Sequence, residues 1–116
     1  MTFIAHGIGV SKGKVNGKVR IIRNDPDHAS FEEGDILVTR ITDPTMVPLM
    51  NKAAGIICDI GGLTSHPSIV ARELGIACIV SAKCVQTGKP ITEILNNGQR
   101  IKICGESGEI YLVDEK

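Results

Sequence analysis

Three short, uninterrupted apolar runs constrain this chain more than any other feature: Ile36-Leu37-Val38-Thr39, Ile56-Ile57-Cys58 and Ile76-Ala77-Cys78-Ile79-Val80. None alternates with polar residues, so each needs cover on both faces, as strands of a parallel sheet have when helices cross between them. The segments between the runs suit that demand. Thr42-Asp43-Pro44 offers a cap followed by proline, and Met46, Val47, Leu49, Met50, Ala53 and Ala54 predict an apolar helical face that Gly55 would end. Pro48 falls inside that helix and predicts a local distortion. A second helix is predicted from His66 to Leu74, with Gly75 as its stop.

The flanks read differently. Glycines punctuate the first third (Gly7, Gly9, Gly13, Gly17), and Lys18 to Arg23 forms a partly alternating strand that ends at the turn signal Asn24-Asp25-Pro26. Towards the end, Asn96-Asn97-Gly98-Gln99 is a turn leading into two strands, Arg100 to Cys104 and Glu109 to Val113. The flanks therefore predict antiparallel strands around a β-α-β-α-β centre, which makes an α/β domain with a mixed sheet. Without an internal repeat, low-complexity stretch or linker, residues 1–116 are expected to form a single domain.

Composition narrows the function classes. Lys and Arg number 13 against 13 Asp and Glu, so the chain lacks the basic surplus that drives nucleic-acid binding. It has no Trp, one Tyr and two Phe, too few for a base-stacking platform. Its apolar runs fall well short of the ~20 residues that cross a bilayer. The opening, Met1 to Gly7, has neither the basic start nor the apolar stretch of a signal peptide, so a cytoplasmic location is expected, with no membrane and no nucleic acid among the partners. The four cysteines, Cys58, Cys78, Cys84 and Cys104, include no C-x-x-C pair. They read as small buried hydrophobes rather than zinc ligands or a disulfide framework, and no metal site is expected. Dinucleotide and P-loop phosphate motifs are absent.

One segment carries chemistry. Gly61-Gly62-Leu63-Thr64-Ser65-His66-Pro67-Ser68 joins a buried strand to the second helix. Gly61 and Gly62 permit positive φ and close approach, Thr64 and Ser65 can cap the helix, and proline is tolerated in its first turn. His66 then stands at a helix N-terminus, where free N–H groups and the helix dipole favour negative charge. A neutral imidazole there is a nucleophile whose phosphorylated form would be stabilised by its own helix. His6 and His28 lie in loop-like contexts and carry no such suggestion.

Larger words repeat this pattern: Gly34-Asp35-Ile36-Leu37-Val38, Thr42-Asp43-Pro44 with Pro48-Leu49-Met50, Lys52-Ala53-Ala54-Gly55-Ile56-Ile57, Asp59-Ile60-Gly61-Gly62-Leu63-Thr64-Ser65-His66, and Ile69-Val70-Ala71-Arg72-Glu73-Leu74-Gly75-Ile76. Ser11-Lys12-Gly13, Gly17-Lys18-Val19 and Gly108-Glu109-Ile110-Tyr111 extend the likeness towards both ends. Together they resemble the phosphohistidine, or swivelling, domain of phosphoenolpyruvate-utilising enzymes such as phosphoenolpyruvate synthase, pyruvate phosphate dikinase and Enzyme I. The resemblance implies a three-layer swivelling β/β/α domain with a mixed sheet. It assigns His66 as the group that accepts and passes on a phosphoryl group, within a phosphate-stabilising site loop of Gly61, Gly62, Thr64, Ser65 and Ser68. Thr64 also matches a position that is a regulatory phosphorylation site in some relatives, although a helix-capping hydroxyl explains it as well. Arg72 and Glu73 match too, and a solvated helix face accounts for both.

The departures are Pro67 where the family usually has alanine, Ala77 where proline is common, and Ser81 where glycine is usual. Pro67 removes one N–H from the phosphate-facing turn. The family's other parts, an ATP-binding donor domain and a barrel that binds phosphoenolpyruvate or pyruvate with Mg²⁺, cannot fit in 116 residues. The chain itself is therefore expected to bind no cofactor, with Mg²⁺ and ATP or phosphoenolpyruvate held by partner domains or subunits. It is expected to be a free-standing carrier, a subunit of a split enzyme or a piece of a longer protein. The alternative is a non-catalytic swivelling or regulatory protein-binding module with a structural or vestigial histidine.

Overall fold

The computed structural model describes residues 1–113. Seven strands form one sheet that closes on itself: β1 (Thr2–Ser11), β2 (Lys14–Ile22), β3 (Ile36–Thr39), β4 (Gly55–Cys58), β5 (Ala77–Cys84), β6 (Arg100–Cys104) and β7 (Glu109–Leu112), in the spatial order β1-β5-β4-β3-β2-β6-β7. The sheet is mixed. β2, β3, β4 and β5 run parallel to their neighbours in that row, and the β1 to β5, β1 to β7, β2 to β6 and β6 to β7 pairings are antiparallel. β1 and β2 are consecutive yet do not pair, because the chain crosses at Gly13 from one side of the barrel to the other.

Two-sided burial explains the apolar runs. Ile36, Val38, Ile57, Ala77 and Ile79 point into the barrel, where they meet Ile101, Ile103 and Ile110 from the closing hairpin. The intervening Leu37, Ile56, Cys58, Cys78 and Val80 face outward into a second core with Met46, Leu49, Met50 and Ala71. Two β layers and one helical layer result, in agreement with the β/β/α expectation. Burying each large aliphatic side chain of this kind contributes about 1.5–3 kcal/mol.

The helices partly match the sequence reading. α2 (His66–Leu74) has the predicted limits, and its stop is a Schellman arrangement. Gly75 adopts φ 71°, its N–H reaches the Arg72 carbonyl, and the Ile76 N–H reaches the Ala71 carbonyl. Small buried residues on this helix, Ser68 and Ala71, let it lie close to the sheet.

The first helix is much shorter than predicted. A 3₁₀ turn over Pro44–Met46 is followed by a single α turn, α1 (Val47–Met50), and the chain then continues through turns bonded i to i−3. Pro48 accounts for the 3₁₀ start, since it lacks the N–H that would bond Pro44, whose carbonyl accepts from Val47 instead. Gly55 is the first residue of β4 rather than a helix stop. A Cβ there would lie 2.7 Å from Ile103 Cδ1 and 3.1 Å from Val15 Cγ2, so a larger residue would push these side-chain ends aside across the barrel.

Other elements gave no strong periodic signal. A 3₁₀ segment, Asp25–Ser30, extends the predicted turn and carries the chain from β2 to parallel β3. One further α turn, α3 (Ile91–Ile94), covers the barrel mouth with Ile91 and Leu95. His6 lies within β1 and His28 within the 3₁₀ segment, so neither occupies an irregular loop.

Candidate functional site

The loop between β4 and α2 rises from the carboxyl ends of the parallel strands, where ligand sites of α/β sheets gather. Two hydrogen bonds extend the β3–β4 ladder beyond its strands: Asp59 N–H to the Thr39 carbonyl, and Ile60 N–H to the Arg40 carbonyl. They hold the segment after β3 against the glycine loop. As a result the buried Thr42 hydroxyl lies 2.7 Å from Nδ1 of His66, across 24 positions of sequence. The imidazole is half-buried.

Every carbonyl from Gly61 to Leu63 is held by a side chain. Gly61 has φ +130°, and a Cβ there would approach Ser65 Oγ to 2.8 Å, so the turn needs glycine. Its carbonyl accepts the Ser81 hydroxyl at 2.8 Å. The Gly62 carbonyl accepts both Ser65 Oγ, at 2.9 Å, and Ser68 Oγ, at 2.6 Å. The Leu63 carbonyl accepts Arg72 Nη2 at 2.6 Å, while Nη1 of the same guanidinium reaches the Val10 carbonyl at 3.2 Å.

These contacts revise several residue readings. Ser65 is the N-cap residue by its backbone (φ −71°, ψ 160°), yet its hydroxyl turns back to the loop and caps no helix N–H. Ser68 is fully buried and also serves the loop. Thr64 is exposed, and its hydroxyl makes no hydrogen bond among the described residues, so it is not the helix cap. Arg72 is more than part of a solvated face: it joins the loop to β1. Ser81, the residue that replaces the usual glycine, is the one non-glycine with positive φ among the described residues, at 52°. It keeps the backbone shape that glycine would supply and adds a hydroxyl to fix Gly61.

Thr42, Arg72 and Ser81 thus join the predicted residues at the site. In the sequence Thr42 offers a helix cap and belongs to the family-like word Thr42-Asp43-Pro44, neither of which places it on His66. Nearby, the Thr45 hydroxyl and N–H bond Asp43 and hold its carboxyl below the ordinary value of 3.8. Ile60, Leu63 and Ile69 surround the loop as exposed apolar side chains. No group of three or more His, Cys, Asp or Glu side chains able to hold a metal occurs among the described residues. No helix of the described residues is long and apolar enough to cross a membrane.

Residues 31–108 match the family described as PEP-utilising enzyme, mobile domain. The chain belongs to that family. It is 43% identical over 105 residues to a probable phosphoenolpyruvate synthase of Archaeoglobus fulgidus, covering 90% of this chain and 13% of that protein. It is 40% identical over 107 residues to a rifampicin phosphotransferase of a Streptomyces species, covering 92% of this chain and 12% of that protein. Its fold matches the solution structure of an Enzyme I protein with a TM-score of 0.59 and 24% identity, over 77% of this chain and 34% of the other. This mobile domain therefore spans about one eighth of the length of the curated relatives it matches.

Proposed function

We propose that this mobile domain is a phosphoryl carrier and that Nε2 of His66 is its attachment point. The contact between Thr42 Oγ1 and His66 Nδ1 is the observation that supports this reading. When Nδ1–H donates to the Thr42 oxygen, the ring's other nitrogen holds the lone pair. That lone pair forms the N–P bond as the bond from phosphorus to the donor's leaving oxygen breaks. Nδ1 retains its proton throughout. Delivery reverses the sequence: an acceptor oxygen bonds phosphorus, and the electron pair returns to Nε2.

The donor is the ATP- or phosphoenolpyruvate-binding part of a larger enzyme, which also supplies Mg²⁺, and the acceptor is a second site there. Gly61, Gly62, Ser65 and Ser68 shape the loop. The start of α2 favours the added negative charge, with one N–H fewer because of Pro67. The exposed Thr64 hydroxyl is open to phosphorylation as a regulatory event.

The test is to incubate the domain with the nucleotide-binding part of a phosphoenolpyruvate synthase and ATP, then map the label. Acid-labile, alkali-stable phosphate on His66 is expected, because a phosphoramidate leaves once its nitrogen is protonated. Acid-stable label, label on His6 or His28, or none with every donor tried would overturn the proposal and favour a protein-binding module.

A further inference from the structure

The carrier role proposed for His66, on which this inference rests, makes a geometric demand on the surface around the ring. Phosphorus must come within bonding reach of Nε2, so the mouth of the donor site has to lie against the side chains that flank it. On α2, Pro67, Ser68 and Ala71 face inward, which leaves His66 and Ile69, one turn apart, on the outward side. Arg72 follows Ile69 by a further turn, and its 2.6 Å bond to the Leu63 carbonyl holds the loop beside this outward stripe. Leu63 is 63% exposed there, with its carbonyl fixed and its side chain in water.

Ile60, Leu63 and Ile69 are three of the eight exposed large hydrophobic side chains among the described residues, and all lie within six positions of His66. Scattered singly, such residues need no explanation; gathered around a reactive group they mark a contact surface. From Ile60 to Ala71 there is no Lys, Arg, Asp or Glu, in a chain where these make up 22%. Of the charges nearby, Asp43 is taken up by Thr45 and Arg72 by the Leu63 and Val10 carbonyls, and Glu73 is two turns from His66 along the helix. Large apolar side chains with charge excluded are the composition of an interface core. The same composition suits phosphoryl transfer. Carboxylates beside the ring would repel the donor's phosphates, and unpaired lysines would hold the phosphoryl group back from the next site. The occupant lies outside this domain, as does most of the length of the curated relatives.

We propose that Leu63 and Ile69, with Ile60, form a docking collar whose occupant is an uncharged, apolar rim around the phosphoryl-donor site. The test is calorimetry of the unphosphorylated domain with the nucleotide-binding part of a phosphoenolpyruvate synthase, at low and high salt, alongside steady-state phosphorylation. Leu63→Gln and Ile69→Gln should each weaken binding by about tenfold and raise the KM for the domain equally, with kcat kept within about twofold. Leu74 is an exposed aliphatic at the far end of α2, and Leu74→Gln should change neither quantity. Binding should be nearly independent of salt, because no charge pair carries it. Amide NMR spectra of the variants should superimpose on the parent's away from the substituted positions. Binding that neither collar substitution weakens, that Leu74→Gln weakens equally, that falls steeply with salt or that is absent altogether would overturn the proposal. The collar and the carrier fail separately. A domain that binds through Leu63 and Ile69 yet takes no phosphate on His66 keeps the collar and removes the carrier. One that takes phosphate on His66 with a KM indifferent to both substitutions does the reverse.

Discussion

Replacing Thr42 by valine tests the claim that a threonine selects the reactive nitrogen. Valine keeps the shape of this buried side chain and removes only the oxygen 2.7 Å from Nδ1. One hydrogen bond is lost, with a net worth of about 0.5–1.5 kcal/mol. The ring is half-buried, so Nδ1 can turn to water and the full desolvation penalty does not apply. A loss near ~1 kcal/mol should lower the thermal midpoint by roughly 3–6 °C at this chain length. His66→Ala should cost more, about 1–3 kcal/mol, because it strands the Thr42 hydroxyl in the interior. In the double variant the two losses should fall short of additive by about 1 kcal/mol. Function should suffer more than stability. Without its oxygen partner Nδ1 no longer holds the proton preferentially, and the fraction of rings with a lone pair on Nε2 falls. Phosphorylation by a donor domain should slow by about tenfold, equivalent to ~1.4 kcal/mol of barrier. Phosphorus NMR should show some phosphate on Nδ1, and nitrogen NMR should show a shift in tautomer. A variant that forms only the Nε2 adduct at the parental rate, with unchanged nitrogen shifts, would refute the reasoning.

Three further outcomes concern Ser81, the four cysteines and Pro67. Ser81→Ala should be less stable than Ser81→Gly by about 1 kcal/mol in urea unfolding, because alanine keeps the cost of φ 52° without the hydroxyl, whereas glycine relieves it; the reverse order would show that the backbone there is unstrained. Iodoacetamide should modify Cys84 and Cys104, whose thiols are lowered by hydrogen bonds from Thr87 and Ser107, well before Cys58 and Cys78. Burial raises Cys58 and pushes Cys78 up to about 12, so mass spectrometry of the folded domain should find both unmodified. Pro67→Ala should lower the thermal midpoint by removing buried contact, yet lengthen the phosphohistidine lifetime by restoring an N–H worth about 0.3–1 kcal/mol to the nearby anion; an unchanged lifetime would show that this donor does not limit the site.

The parts legible in the sequence are those fixed by local pattern. Ile36 to Thr39, Ile56 to Cys58 and Ile76 to Val80 lack alternation because they are covered on both faces, and that burial follows from composition alone. The limits of α2 follow from Ser65, Pro67 and Gly75, each acting within a residue or two of itself. The missed features depend on the tertiary fold or are only one turn long. α3 offers no period to detect, and the missing N–H of Pro48 turns the start of the predicted first helix into a 3₁₀ turn despite its apolar face. Thr42 meets His66 only once β3 and β4 are in register. Arg72 has the appearance of a solvated helical residue until the Leu63 carbonyl is placed beneath it. Ser81 did leave a signal, a serine where the family usually carries glycine, and the signal concerned backbone conformation rather than chemistry.

The loop's hydrogen bonds also bear on why this scaffold suits an added phosphate. The carbonyl oxygens of Gly61, Gly62 and Leu63 are sources of negative potential in the loop, and under the carrier proposal a dianion on His66 would be repelled by them if they were unpaired. Four side-chain donors, from Ser81, Ser65, Ser68 and Arg72, occupy those oxygens. The arrangement therefore needs no rearrangement when charge arrives, which is how preorganised polar groups lower the cost of a charged state. The donors come from the N-cap of α2, from α2 itself and from β5, and β5 is paired on both sides within the closed barrel. Closure matters for the same reason: without open strand edges, the barrel has no exposed ladder to pair with a partner's sheet. Under the carrier proposal, a histidine on such a base would meet two different sites in turn while the geometry around it stays the same.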